Sequence, residues 1–183
     1  RRENITQGGA GTFFHQIYLK AQQELPEGEK LFPHVRTFPG GGAPKPPALH
    51  YALKDAFGVG VVSGYGMTEA PILTMNHHDA PDDVLATTEG PAVAETTLRI
   101  VTVDGKEAGV GEEGEVRVKG PQVTLGYLDP ALDAAAFDDD GWFRTGDLGT
   151  LDPHGNLTIT GRLKDVIIRK GENISAKEVE DLL

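Results

Sequence analysis

The sequence predicts an α/β fold that changes character along its length: a mostly parallel layered sheet, then a small β-rich unit, then the start of a third unit. Three observations carry this. Helix-like and strand-like segments alternate over residues 1–86, the pattern that builds parallel sheets. Residues 87–161 turn β-branched and alternating, as half-exposed strands are. Residues 162–183 hold an apolar Val166-Ile167-Ile168 run, a Lys170-Gly171 turn and the opening of a helix.

Thr12 opens a helical pattern with Phe14, Ile17, Tyr18, Ala21 and Leu25 on one face, stopped by Pro26 and Gly28. Val35–Phe38 reads as a short strand running into Pro39-Gly40-Gly41-Gly42-Ala43-Pro44, and Ala48–Phe57 as a helix ended by Gly58. Val59–Ser63 is a buried strand that empties into a Gly64-Tyr65-Gly66 loop. In the β-rich part, Leu98–Val103 leads to an Asp104-Gly105 turn, and Glu115–Lys119 alternates with period two. Asp129-Pro130 supplies a cap and a first-position proline for a short helix. Leu148–Leu151 and Leu157–Thr160 flank a polar turn and form a hairpin. Ser175 and Glu178 make a capping box for a last helix burying Val179, Leu182 and Leu183, and the chain stops with that face only begun, as a truncated chain does.

Composition narrows the function classes. A net charge of −11 is concentrated in Tyr51–Gly161, a field that opposes non-specific nucleic-acid binding. No run reaches the ~20 apolar residues of a membrane span, and no basic-then-apolar signal stretch opens the chain. The absence of cysteine excludes disulfides and thiolate metal sites and is compatible with a reducing cytoplasm.

Several motif matches fail on context. Gly109-Val110-Gly111-Glu112-Glu113-Gly114 has dinucleotide-fingerprint spacing, but it precedes a strand and carries two glutamates that repel phosphate. Ser63 lacks the flanking glycines of a hydrolase elbow. His77-His78-Asp79 is expected to be a solvated loop whose three side chains diverge, and Asp138-Asp139-Asp140 a polar turn.

One arrangement remains. Gly40-Gly41-Gly42-Ala43-Pro44 and Ser63-Gly64-Tyr65-Gly66-Met67-Thr68-Glu69 each follow an expected strand, with one helix between them. In a parallel sheet both emerge at one edge, where α/β ligand crevices form. Bare glycines admit a flat base to the backbone, and Tyr65 offers a stacking face. Thr68 supplies a hydroxyl, and Glu69 a hard oxygen for magnesium. On spacing alone, two ordinary glycine turns are an equal reading.

Further motifs follow in order: Gly114–Pro121, Gly126-Tyr127, Trp142-Phe143-Arg144-Thr145-Gly146-Asp147, Gly161-Arg162-Leu163-Lys164-Asp165 and Gly171–Glu180. From about Val35 to Leu183 this set closely resembles the adenylate-forming superfamily of acyl-CoA synthetases, luciferases and peptide-synthetase adenylation domains. The resemblance implies the end of a large α/β subdomain (1–86), a small barrel-like β-rich subdomain (87–161), and the hinge and beginning of a small α+β C-terminal domain (162–183). It implies that Gly42-Ala43-Pro44 and Ser63, Gly64, Tyr65, Gly66 and Met67 wall the adenine of ATP, with Tyr65 against the base. Thr68 would contact the phosphates, Glu69 would hold Mg2+, and Asp147 would take both ribose hydroxyls. Arg162 would reach the ribose or phosphates, Lys164 would be the pivot between half-reactions, and Gly171 would line the tunnel for CoA. The family's phosphate-loop lysine and C-terminal catalytic lysine are expected before Arg1 and after Leu183. Thr68-Glu69-Ala70-Pro71-Ile72 departs from the resemblance, being one residue shorter than the common acyl-CoA synthetase form, so the resemblance does not carry over the acyl-pocket lining.

The expected activity is therefore that of a cytoplasmic carboxylate–CoA ligase using ATP, Mg2+, CoA and a small-molecule carboxylic acid. Two alternatives stand beside it: an adenylation domain that loads an amino acid onto a carrier protein, and a non-catalytic nucleotide-binding module. Lys164 and Gly171-Glu172-Asn173-Ile174 favour the CoA ligase.

Overall fold

The computed structural model describes residues 4–42, 45–169 and 172–175. They form two compact units, one comprising residues up to Met67 with Thr74–Gly90, the other Thr68–Leu73 with residues from Pro91 on.

In the first unit, β1 (Phe38–Gly40) pairs in parallel with β2 (Val61–Met67) in the register Phe38↔Val61 to Gly40↔Ser63. The crossover between them is α2 (Pro47–Phe57), which starts on proline and ends where Gly58 turns left-handed at φ +84°. An extended segment also runs parallel to β1. Gln7 bridges Thr37, and the Ala10 N–H donates to the Pro39 carbonyl at 3.0 Å. That segment enters α1 (Thr12–Gln23) through Gly11. The core is Phe38, Leu49, Leu53, Phe57 and Val61, with Tyr18, Leu19 and Phe32 packed on it; each such side chain removed from water stabilises by about 1.5–3 kcal/mol.

The expected apolar face of α1 is corrected. His15 is the buried residue, its ring edge-on to Phe38 at 5.8 Å, while Phe14 and Ile17 are exposed. The position of Phe38 decides which face turns inward, and a lone helix pattern does not contain that information.

Where a loop is expected at Gly64–Met67, the structure has strand. A two-residue connection at Thr68-Glu69 leads into β3 (Ala70–Met75), giving the sheet order β1-β2-β3. The short α3 (Asp82–Thr87) follows. Buried His50 ties this unit together: the Val61 N–H donates to Nδ1 at 3.1 Å and Nε2 lies 3.2 Å from an Asp82 carboxylate oxygen. Nδ1 accepts from the backbone there, so Nε2 is the ring nitrogen that faces the carboxylate.

The second unit is an antiparallel sheet of β4 (Thr97–Val101), β5 (Gly114–Lys119), β6 (Phe143–Leu151) and β7 (Leu157–Arg162), in that order. Val116 and Val118 of β5 are buried, and Glu115, Arg117 and Lys119, which alternate with them, are half-buried. A 3₁₀ turn at Pro130–Leu132, capped by the Asp129 carboxylate on the Ala131 N–H at 3.0 Å, leads into α4 (Asp133–Ala136). β6 is longer than expected and places Asp147 within the strand, beside a bulge at Leu148/Gly149. A second 3₁₀ turn, Leu163–Asp165, precedes β8 (Val166–Arg169), which pairs antiparallel with β9 (Glu172–Ser175). The strand β9 stands where only a turn and helix are expected, and it takes in Ser175; Glu178, the other half of the expected capping box, and its helix lie outside the described residues. No helix among the described residues is long and apolar enough to cross a membrane.

Candidate functional site

In the first unit, the parallel register sets the two glycine segments side by side. A Cβ added to Gly41 would stand 3.1 Å from the Gly64 carbonyl oxygen, and Gly42 adopts φ +79°, open to glycine but costly for other residues. Ala43 and Pro44 lie outside the described residues. Lys45, next in sequence, donates to the Leu85 and Ala86 carbonyls at the end of α3, and burial pushes its pKa down. Burial pushes Glu89 up, partly offset by Lys45 and Ser63.

Ser63 is buried and donates to the Thr88 carbonyl at 3.1 Å, a structural tie. The Tyr65 N–H donates to Thr74 Oγ1 at 3.2 Å, and that hydroxyl donates to the Glu89 carbonyl at 2.6 Å. The backbone carrying Tyr65 is thus fixed from behind, and Gly66 and Met67 continue the strand half-buried.

Sequence reasoning missed a third segment. The Gly8-Gly9-Ala10-Gly11 stretch leaves the same sheet, and a Cβ on Gly11 would lie 3.7 Å from the Gly41 carbonyl. A glycine run just ahead of a helical pattern was the available signal. His15 was missed too; its Nε2 is buried without a partner among the described residues, and desolvation lowers its pKa.

In the second unit, Thr68 is exposed and Glu69 half-buried at the connection. Tyr127 Oη donates to Glu69 Oε1 at 2.9 Å, and the Thr124 N–H donates to the Glu69 carbonyl at 2.7 Å. The hydrogen bond to Glu69 is the main cause that raises the Tyr127 phenol above its ordinary pKa. Asp147 and Arg162 stand opposite each other in the β6–β7 register, with Arg162 Nε 3.2 Å from Asp147 Oδ1. Lys164 sits exposed in the 3₁₀ turn just beyond Arg162. Gly171 lies outside the described residues.

The structure corrects one reason for setting His77-His78-Asp79 aside. Their ligand atoms do not diverge; all lie within 4.8 Å of one another, on exposed side chains. Gly109–Gly114 is a turn, with the Glu112 carboxylate accepting from the Gly109 N–H at 2.8 Å.

A parallel glycine-edged α/β unit and an antiparallel sheet unit agree with the fold expected of an adenylate-forming enzyme. The chain belongs to the AMP-binding enzyme family, whose model matches residues 2–128. It is 42% identical over 150 residues to the medium-chain fatty-acid–CoA ligase of Escherichia coli, covering 81% of this chain and 26% of that protein. With the salicyl-AMP ligase / salicyl-S-ArCP synthetase of Mycobacterium tuberculosis it shares 38% identity over 151 residues, again 81% of this chain and 26% of the relative. The ATP-bound structure of MatB from Rhodopseudomonas palustris superposes with a TM-score of 0.86 at 34% identity, covering 97% of this chain and 35% of that one. The chain thus spans about a quarter to a third of the length of these relatives.

Proposed function

We propose that this chain is part of a cytoplasmic, ATP-dependent carboxylate–CoA ligase that activates a carboxylic acid as its acyl-adenylate and passes the acyl group to CoA. The carboxylate oxygen attacks the α-phosphorus and pyrophosphate leaves. The thiol of CoA then attacks the acyl carbon and AMP leaves. The observation that supports this most is the Asp147–Arg162 pair: a buried two-oxygen acceptor suited to two ribose hydroxyls, with a cation beside it.

In this reading Gly42, Ala43, Pro44 and Ser63–Met67 wall the adenine, with Tyr65 on its face. Thr68 binds phosphate oxygens. Glu69 is the magnesium ligand, and a half-buried carboxylate beside a hydroxyl fits a hard cation that is held by one or two carboxylates plus phosphates. Magnesium, when bound, supplies neutralisation of phosphate charge. The chain divides at residues 86 and 161 in this reading: the segment from Arg162 rotates about Lys164, and Gly171 lines the path for CoA.

The rival reading, transfer to a carrier protein, is tested together with it. The intact protein is assayed for pyrophosphate release against a panel of fatty, alicyclic and aromatic acids and free amino acids, each with and without CoA. Acid-dependent release with CoA thioester as product supports the ligase. Activation of amino acids alone, with no thioester, supports the adenylation domain, and ATP binding with no acid-dependent release would leave only a nucleotide-binding module.

A further inference from the structure

The stretch from Gln122 to Tyr127 is laid against the Thr68-Glu69 connection and β3 at three points. Gln122 Nε2 donates to the Ile72 carbonyl at 3.1 Å, the Thr124 N–H donates to the Glu69 carbonyl at 2.7 Å, and Tyr127 Oη donates to Glu69 Oε1 at 2.9 Å. The phenol is itself placed from behind. The Tyr127 N–H donates to Asp133 Oδ1 at 2.9 Å, and Gly126, at φ +146°, lies so near that a Cβ there would stand 2.8 Å from Asp133 Oδ2. Oε1 is therefore occupied, while Oε2 has no hydrogen-bond partner among the described residues.

We infer that Tyr127 is the positioning residue of Glu69: its phenol fixes one carboxylate oxygen and so presents the other to the cation that accompanies ATP. This rests on the proposed reading of Glu69 as the magnesium ligand. A glutamate has three rotatable side-chain bonds, and an unpinned carboxylate spreads over many rotamers. Ligating carboxylates are commonly held by such outer hydrogen bonds, and losing one typically weakens metal affinity by about 10–100-fold. Removing the hydroxyl alone keeps the ring and its packing.

The test is calorimetric titration of ATP into the intact protein, once with MgCl2 and once with EDTA; the readout is the factor by which Mg2+ tightens ATP binding. Tyr127→Phe is expected to lower that factor about ten-fold, Glu69→Gln at least as much, and the double variant no more than Glu69→Gln alone. Gln122→Ala loosens the same segment without touching the phenol and should keep the factor within about two-fold. A Tyr127→Phe factor like wild type, with Glu69→Gln lowered, would overturn the role of Tyr127 and leave Glu69 in place. Equal losses in Tyr127→Phe and Gln122→Ala would reduce the phenol to a structural tie, and an unchanged factor in Glu69→Gln would remove both assignments.

Discussion

Asp147 and Arg162 face each other across the β6–β7 pair with Nε 3.2 Å from Oδ1, the aspartate side chain 8% exposed and the arginine 59%. The acid is fixed in the sheet while the cation reaches outward. In the proposed role of Asp147, replacing it by Ala would leave ribose hydroxyls without a charged acceptor, a loss of about 1.5–3 kcal/mol per bond. ATP affinity in the intact protein should fall more than about ten-fold, measured by titration calorimetry, while the circular-dichroism spectrum stays native. Unchanged ATP affinity would take Asp147 out of the ribose site.

Asp138 anchors the charged face of the second unit. Its side chain is 8% exposed and accepts from Arg99, from Arg117 at 2.9 Å and from the Trp142 N–H at 2.9 Å. Burial opposes ionisation, but the Trp142 amide and the two guanidiniums outweigh it and hold the carboxyl below its usual range. A depressed folded pKa contributes stability above the unfolded value of about 4, lost as pH falls through the lower folded value. Asp138→Asn removes the charge that Arg99 and Arg117 share, while Arg117 keeps Glu115, and should cost about 1.5–3 kcal/mol near neutrality. Urea unfolding across pH should show the gap between variant and wild type closing below about pH 4; a constant gap would deny the ionic role.

Glu95 is the one non-glycine at positive φ among the described residues, at φ 63°. The left-handed region costs an ordinary residue about 1–2 kcal/mol, part of which glycine gives back through unfolded-chain entropy. Glu95→Gly should raise stability by about 0.5–1 kcal/mol, read as a higher thermal midpoint. A lower midpoint would mean that the glutamate side chain contributes more than its backbone costs.

Motif residues were legible because their chemistry is local: glycines between a strand and a helix, an acid at the end of Trp142–Asp147, an arginine after Gly161. What remained hidden depends on distant partners. Gly64–Met67 reads as loop until β3 supplies its ladder. His15 reads as polar until Phe38 turns that side of α1 inward. The Glu69–Tyr127 bond joins residues far apart in sequence and has no sequence signature at all.

Lys164 occupies the 3₁₀ turn between β7 and β8, the place where the proposed rotation changes backbone torsions. Proline there fixes φ near −65° and removes the N–H. In the intact enzyme Lys164→Pro should retain acid-dependent pyrophosphate exchange within several-fold, while acyl transfer from preformed acyl-adenylate to CoA falls by orders of magnitude. Equal losses in the two half-reactions would return Lys164 to an exposed turn residue.

In the proposed reaction the substrate's own carboxylate attacks the α-phosphorus of ATP. The most direct measurement gives the intact protein an accepted acid labelled with oxygen-18 in its carboxylate, together with ATP and CoA, and reads the products by mass spectrometry. Attack at the α-phosphorus followed by thiolysis leaves one labelled oxygen in the phosphate of AMP and one in the thioester carbonyl. Label in inorganic phosphate with formation of ADP, or AMP carrying no label, would contradict the adenylate route.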